Sequence, residues 1–111
     1  MWLTVLLSAM AGLMGANAVP HFVKGMVGEQ FPNVWGNSAL LNAIAGTLGL
    51  ALAAAIAYWA DIPSHAAAGI AGASAGALVM AVFHGLGGAY RLNTALHLPN
   101  PPRVGNSAAA Q

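Results

Sequence analysis

Histidine and asparagine are the residues of this sequence best suited to do chemistry in an otherwise apolar chain. Asn17 and His21 lie at the end of the first apolar block, Asn42 near the start of the second and His84 at the end of the third. Imidazole can ligate the metal of a haem or chlorophyll-type pigment, or hydrogen-bond a quinone carbonyl. We therefore predict that these four residues converge on a cofactor-binding cluster.

A structural role is the competing interpretation of this cluster. Histidine at a membrane boundary often only hydrogen-bonds a neighbouring helix, and on this interpretation, which we favour, the chain has no cofactor of its own. His65 and His97 have no neighbour at the spacing of metal ligands. The sequence contains no cysteine and no His-x-x-x-His pattern, and its Gly-x-Ser-x-Gly match, Gly72 to Gly76, lies inside the third apolar block rather than at a turn between a strand and a helix. We therefore expect neither a metal centre nor catalytic residues, and we predict that the protein is not an enzyme.

The composition indicates that lipid surrounds most of the chain. Of 111 residues, 59% are hydrophobic and only 5% are charged. A soluble domain of this size normally carries a far more charged surface. The formal net charge of +1 offers no basic patch, which excludes nucleic acid as an expected partner.

Three apolar blocks predict an all-α integral membrane protein with three transmembrane helices. We expect spans at about residues 2–19, 39–59 and 66–86, each near the length that crosses a hydrocarbon core. Pro20 predicts a bend or end of the first helix. The segment Ala16-Asn17-Ala18 also fits a signal-peptidase site, but no Lys or Arg precedes the apolar run, which favours an uncleaved span.

The first connection between spans is the predicted recognition surface. It combines helix-breaking glycine and proline with aromatic residues that favour the lipid headgroup level, and is expected to be an interfacial loop. The residues predicted to contact a partner are Phe22, Lys24, Glu29, Phe31 and Trp35.

Small residues recur at helical spacing on the second and third spans. Such stripes let helices approach closely in lipid, where association depends on packing and interhelical hydrogen bonds. The expected packing positions, against other helices of the chain or other subunits, are Gly46, Gly49, Ala53, Ala68, Gly72 and Gly76.

The remaining features predict domain limits and orientation. Residues 1–98 are expected to form one transmembrane domain, and the Pro-rich residues 99–111 a disordered tail. Lys24, Arg91 and Arg103 fall on one side of a three-span topology. The positive-inside tendency makes that side cytoplasmic and leaves the N-terminus outside.

The pattern Asn-x-x-Pro-His-Phe-x-x-Gly-x-x-Gly-x-x-Phe-Pro, which begins at Asn17 and ends at Pro32, resembles small, uncharacterised bacterial multi-pass membrane proteins. The resemblance covers about the first third of the chain. It implies the bacterial inner membrane and carries no activity with it.

The function expected from the sequence is that of a non-catalytic accessory subunit. Such a subunit would pack against a larger bacterial membrane complex, respiratory or photosynthetic, with lipid and other membrane subunits as partners. A tetrapyrrole- or quinone-binding subunit that uses His84 or His21 is the first alternative. A small transporter is the second, disfavoured because both carboxylates, Glu29 and Asp61, lie outside the spans.

Overall fold

A computed structural model describes residues 1–103 of the chain, and these residues form helices without any β-strand. The helices are α1 (Trp2–Met26), α2 (Ala39–Trp59), α3 (Ala66–Gly85) and α4 (Gly88–Ala95), and a single 3₁₀ turn, Ile62–His65, precedes α3. Three helical segments are long and apolar enough to cross a membrane: Trp2–Met26, Ala39–Trp59 and Ile62–Gly85. The predicted all-α fold with three such helices is confirmed.

The first helix is longer than predicted, because it continues through Pro20 instead of ending there. A proline removes one helix hydrogen bond, and helices in lipid tolerate this when the neighbouring structure satisfies the freed carbonyl. The helix ends where Gly28 adopts a φ of +76°. The Glu29 N–H then donates to the Lys24 carbonyl oxygen at 2.9 Å, a bond that closes a helix end. The connecting loop is thus limited to residues 27–38.

Helix α1 lies at the centre of the bundle, with α2 and α3 packed on it rather than on each other. The close approach depends on glycine. A Cβ added at Gly46 of α2 would lie 2.4 Å from the Phe22 nitrogen, and one at Gly76 of α3 would lie 2.0 Å from the Ala9 carbonyl oxygen. No side chain fits at such distances, so the helix backbones touch at these positions.

The interior is small and polar, while the large apolar side chains face outward. The largest fully buried side chains are Asn42, Asn93, Pro32 and Ser8. Leu3, Leu48 and Ile70 are each more than 60% exposed. A soluble bundle would reverse this arrangement, so the pattern agrees with a chain whose outer surface meets lipid.

The residues after α3 fold back against the loop at the same end of the bundle. Gly87, with a φ of +73°, starts the turn into α4, a helix that the sequence analysis did not predict. After α4, the Pro99 carbonyl oxygen accepts hydrogen bonds from Asn37 at 2.8 Å and from Asn93 at 3.2 Å.

Residues 99–103 carry specific contacts, in contrast to the disordered tail expected from Pro99 onward. Pro101 is buried, and the Arg103 guanidinium lies 4.2 Å from the centre of the Tyr90 ring. Proline has no N–H to donate, so the side-chain amides of Asn37 and Asn93 provide the hydrogen bonds that hold residue 99 in place. The rest of the predicted tail, residues 104–111, lies outside the described residues.

Candidate functional site

Asn42 anchors the polar cluster at the end of the bundle where the loop, α4 and residues 96–103 meet. Ser38 caps α2, since its hydroxyl accepts from the Leu41 N–H at 3.1 Å, and Asn42 follows within the first turn. The Asn42 side-chain amide donates to the Phe31 carbonyl oxygen at 2.9 Å and to the Ser38 carbonyl oxygen at 3.0 Å. Both protons of that amide are thereby used.

These bonds fix the tautomer of His21. The Asn42 Oδ1 atom lies 2.6 Å from His21 Nδ1. Since Oδ1 can only accept, His21 Nδ1 must carry the proton and donate it. In the neutral imidazole the other nitrogen, Nε2, then holds a lone pair. Among residues 1–103, His21 Nε2 has no hydrogen-bond partner.

His84 lies beside His21 and is paired in the same way with an asparagine of α1. Its Nε2 atom lies 3.0 Å from Asn17 Oδ1, and the two imidazole centres are 5.9 Å apart with their rings nearly perpendicular. The Phe31 ring lies against both, 5.0 Å from His21 and 5.9 Å from His84 between centres. Within the described part of the chain, the buried His84 Nδ1 atom has no partner.

A cavity of about 420 Å³ opens beside this cluster. Residues of α1 lie at its base, α2 lines one side, and α3 and α4 line the opposite side. The loop covers one end. The polar side chains that line it are Asn17, His21, Asn33, His84 and Asn93. The apolar and aromatic side chains that line it include Met14, Val34, Trp35, Leu48, Leu52, Phe83 and Leu92.

The cavity follows from the arrangement of the helices. Because α2 and α3 both pack on α1, they leave a cleft between them where the bundle ends. Leu48 and Leu52 line this cleft and yet are 65% and 48% exposed, so its edge reaches the outer surface of the bundle. The cleft is therefore open on the apolar side of the bundle.

A second cavity of about 510 Å³ lies on the other side of His84. Its polar lining includes Lys24 and Glu29, which form an ion pair, and Arg103. His84 and Ala89 line both cavities. His84 thus separates an apolar cleft from a charged one.

The four residues predicted as a cofactor cluster come together in the structure, although as two pairs rather than one ring of ligands. Asn17, His21 and His84 line the first cavity, and Asn42 supports His21 from behind it. Among the described residues, no group of three or more His, Cys, Asp and Glu could hold a metal ion. The arrangement suits hydrogen bonding to a ligand and has no row of donors for a bare metal.

The five residues predicted to form one recognition loop are divided by the longer α1. Phe22 belongs to that helix and packs against Gly46, and Lys24 lies near the helix end and pairs with Glu29. Phe31 covers the two histidines. Trp35, which is 79% exposed, projects from the loop.

The predicted packing residues face α1 rather than a surface for other subunits. Gly49 meets Ala18, Gly15 of α1 meets Ala53, and Gly72 meets Val5. On α3 the buried row consists of Gly69, Gly72 and Gly76. Ala68, the position predicted for the start of this row, is only half-buried.

Sequence reasoning missed Asn33, Asn93 and Tyr90, which belong to the same end of the bundle. Asn33 is buried, with its N–H bound to Asn37 Oδ1 at 3.1 Å, and Asn93 is 1% exposed. Asn37, Asn93 and Asn100 lie in segments that the sequence predicts to be outside the membrane. Several asparagines close to proline residues could have indicated that these segments fold against the end of the bundle. Comparisons with known protein families, curated proteins and solved structures find no match to this chain.

Proposed function

We propose that this chain is a non-catalytic membrane protein that binds a small amphiphile of the quinone class in the 420 Å³ cavity. The observation that supports this most is the pair of histidines, each held by an asparagine, at the closed end of an apolar cleft. Ionisable side chains within membrane-spanning segments are rare and often mark a ligand site. Here both histidines keep a ring nitrogen that no described residue uses.

The size and polarity of the cavity match this class of ligand. Binding sites for small molecules usually measure roughly 300–1,000 Å³ and combine apolar walls with a few placed polar groups. A quinone head is a flat ring with polar atoms at its edge and an apolar chain. The head would lie against His21 and His84, and the chain would leave along Leu48 and Leu52 toward lipid. A metal-centred ring ligated by His21 or His84 would use the same cleft.

The proposed location is the bacterial inner membrane, with the N-terminus outside and the C-terminus in the cytoplasm. The basic residues Lys24, Arg91 and Arg103 all belong to the end of the bundle that holds the loop and α4. Positive charge on that side supports a cytoplasmic position for the candidate site.

An accessory role in a larger respiratory or photosynthetic membrane complex is the second candidate function. The glycine rows no longer support it, because they pack against α1. The exposed Trp35 supports it, since a projecting tryptophan on an ordered loop is typical of an anchor at a protein interface. A partner that co-purifies with the wild-type chain and is lost on Trp35→Ala would establish this role.

The binding proposal is tested by titrating the purified protein in lipid nanodiscs with tetramethylbenzoquinone and tetramethylhydroquinone. Trp35 lines the cavity, so ligand binding should quench its fluorescence. We expect His84→Leu to weaken binding by about tenfold, equivalent to one hydrogen bond near 1.4 kcal/mol. His65→Leu, a matched control at the opposite end of α3, should bind like the wild type.

The same preparation also distinguishes the ring alternatives. A visible absorption band in the native protein that His84→Leu or His21→Leu abolishes would identify a metal-centred ring instead of a quinone. Absence of saturable binding by both probes, together with a featureless visible spectrum, would contradict the proposed function.

A further inference from the structure

The polar end of the cavity is arranged to accept a hydrogen bond, and this selects among quinone-class ligands. From the tautomer of His21 we infer that the site prefers the reduced, hydroxyl-bearing form, the quinol, over the carbonyl-bearing quinone. This inference rests on the proposed function and names the ligand class of the same site.

The first step is the fixed identity of the Asn42 side-chain atoms. Asn42 Nδ2 donates to two backbone carbonyl oxygens, those of Phe31 and Ser38. If the amide were flipped, its oxygen would face these two acceptors and form no hydrogen bond with either. Oδ1 therefore faces His21, and His21 Nδ1 donates to it across 2.6 Å.

The second step concerns the charge of His21. A cationic imidazole would carry a second N–H at Nε2, for which residues 1–103 provide no acceptor. It would also lie 5.9 Å from the second imidazole, centre to centre, at the end of a membrane-spanning bundle. The neutral ring with its proton on Nδ1 places no second N–H there, because Nε2 then carries a lone pair.

The groups packed directly against the two imidazole rings are uncharged. Phe31 and Phe83 lie against them as apolar rings, and Asn17 and Asn42 are neutral amides. The charged groups of that end are Lys24, Glu29 and Arg103, which line the second cavity, and Arg91, which lines neither of the two cavities. The carboxylate of Glu29 is paired with Lys24. No carboxylate lines the first cavity.

The lone pair of His21 Nε2 is complementary to a ligand that donates a hydrogen bond. The neutral His21 presents a lone pair at Nε2, and His21 lines the cavity. A phenolic O–H donates to such a nitrogen, whereas a quinone carbonyl has only lone pairs to offer. A site built around a hydrogen bond rejects the analogue that cannot form it. The quinol should therefore bind more tightly than the quinone, and also more tightly than the quinol dimethyl ether.

Three probes that share a tetramethyl-substituted six-membered ring test this preference: tetramethylhydroquinone, its dimethyl ether and tetramethylbenzoquinone, with the hydroquinone kept under argon. We expect the hydroquinone to bind wild-type protein in nanodiscs about tenfold more tightly than either other probe. His21→Phe, which keeps an aromatic ring without the lone pair, should remove the preference. Equal binding of all three would overturn the inference and leave the proposed function intact, while no binding of any would overturn both.

A spectroscopic measurement reports the tautomer even if His21→Phe fails to fold. In protein labelled with ¹⁵N at histidine, the His21 signals should show a protonated Nδ1 and an unprotonated Nε2. Hydroquinone should move the Nε2 resonance toward the protonated range, and the dimethyl ether should not. His65→Gln and His97→Gln provide assignments from the two histidines outside both cavities. A protonated Nε2 in the ligand-free protein would overturn the inference.

Discussion

At the scale of single residues, Asn42 organises the candidate site more than either histidine does. It is 0% exposed and joins three parts of the chain, since its side chain bonds His21 of α1, Phe31 of the loop and Ser38 at the start of α2. Its role is to hold the cap on the bundle and to orient the ring of His21.

We predict that Asn42→Ala destabilises the folded bundle by about 1–3 kcal/mol, because two carbonyl oxygens and one imidazole N–H lose their partner in a buried place. Thermal unfolding in detergent, followed by circular dichroism, measures the change. Thr47→Ala is the matched control on α2: its exposed hydroxyl bonds only the Ala43 carbonyl oxygen of its own helix. We expect the control to change stability by less than about 0.5 kcal/mol. Equal effects of the two substitutions would contradict the organising role of Asn42.

The sequence was sufficient to select these residues but not to pair them. Asparagine and histidine stand out at the ends of apolar blocks, so their depth could be estimated by counting residues. Which asparagine holds which histidine depends on the rotation of α1 beyond Pro20, where the sequence analysis expected the helix to bend or stop. The continued helix places Asn17 and His21 one turn apart, toward different neighbours.

At the scale of helices, the bundle depends on backbone contact between α1 and its two neighbours. Glycine in a helix usually costs about 1 kcal/mol relative to alanine, so an alanine would be favoured wherever space allows. At Gly76 there is no space, since an added Cβ would lie 2.0 Å from the Ala9 carbonyl oxygen, which belongs to a rigid helix backbone. The steric cost must therefore exceed the gain in helix propensity.

We predict that Gly76→Ala destabilises the protein by about 2 kcal/mol or more through forced separation of α1 from α3. Gly85→Ala is the control at the end of the same helix, where an added Cβ meets nothing within 4 Å. The control should be neutral or slightly stabilising. Unfolding in graded denaturing detergent gives both values. A Gly76→Ala protein as stable as the Gly85→Ala protein would show that α3 does not pack on α1 through this row.

The helical spacing of small residues predicted which positions pack closely, but it did not predict which surface they pack against. The row of small residues on α3 was recognisable from its period, but a period does not say whether the opposing surface lies in the same chain. In the structure both rows pack against α1, which itself contains several glycines and alanines. Helix α4 could not be predicted from apolar spacing, because it depends on asparagine contacts with residues far along the chain.

At the scale of the whole molecule, the bundle has the dimensions and surface of a membrane protein. Its longest extent is 54 Å, somewhat more than the roughly 40–45 Å of a bilayer with its headgroups. Trp35 is 79% exposed at one end, and Tyr58 and Trp59 are 83% and 67% exposed at the other. Tryptophan and tyrosine are typical of both membrane boundaries, so these residues mark the two interfaces.

The proposed orientation can be tested with single cysteines, because the natural chain contains none. Gln30 lies in the loop and His65 at the opposite end, and both are exposed. In cells stripped of their wall, a membrane-impermeant maleimide should label His65→Cys and leave Gln30→Cys unlabelled until the membrane is opened. His97→Cys, after α4, should behave like Gln30→Cys, since Asn37 and Pro99 join the loop to that segment. The reverse pattern would place the candidate site outside the cytoplasm, and labelling of all three in closed cells would contradict a membrane-spanning bundle.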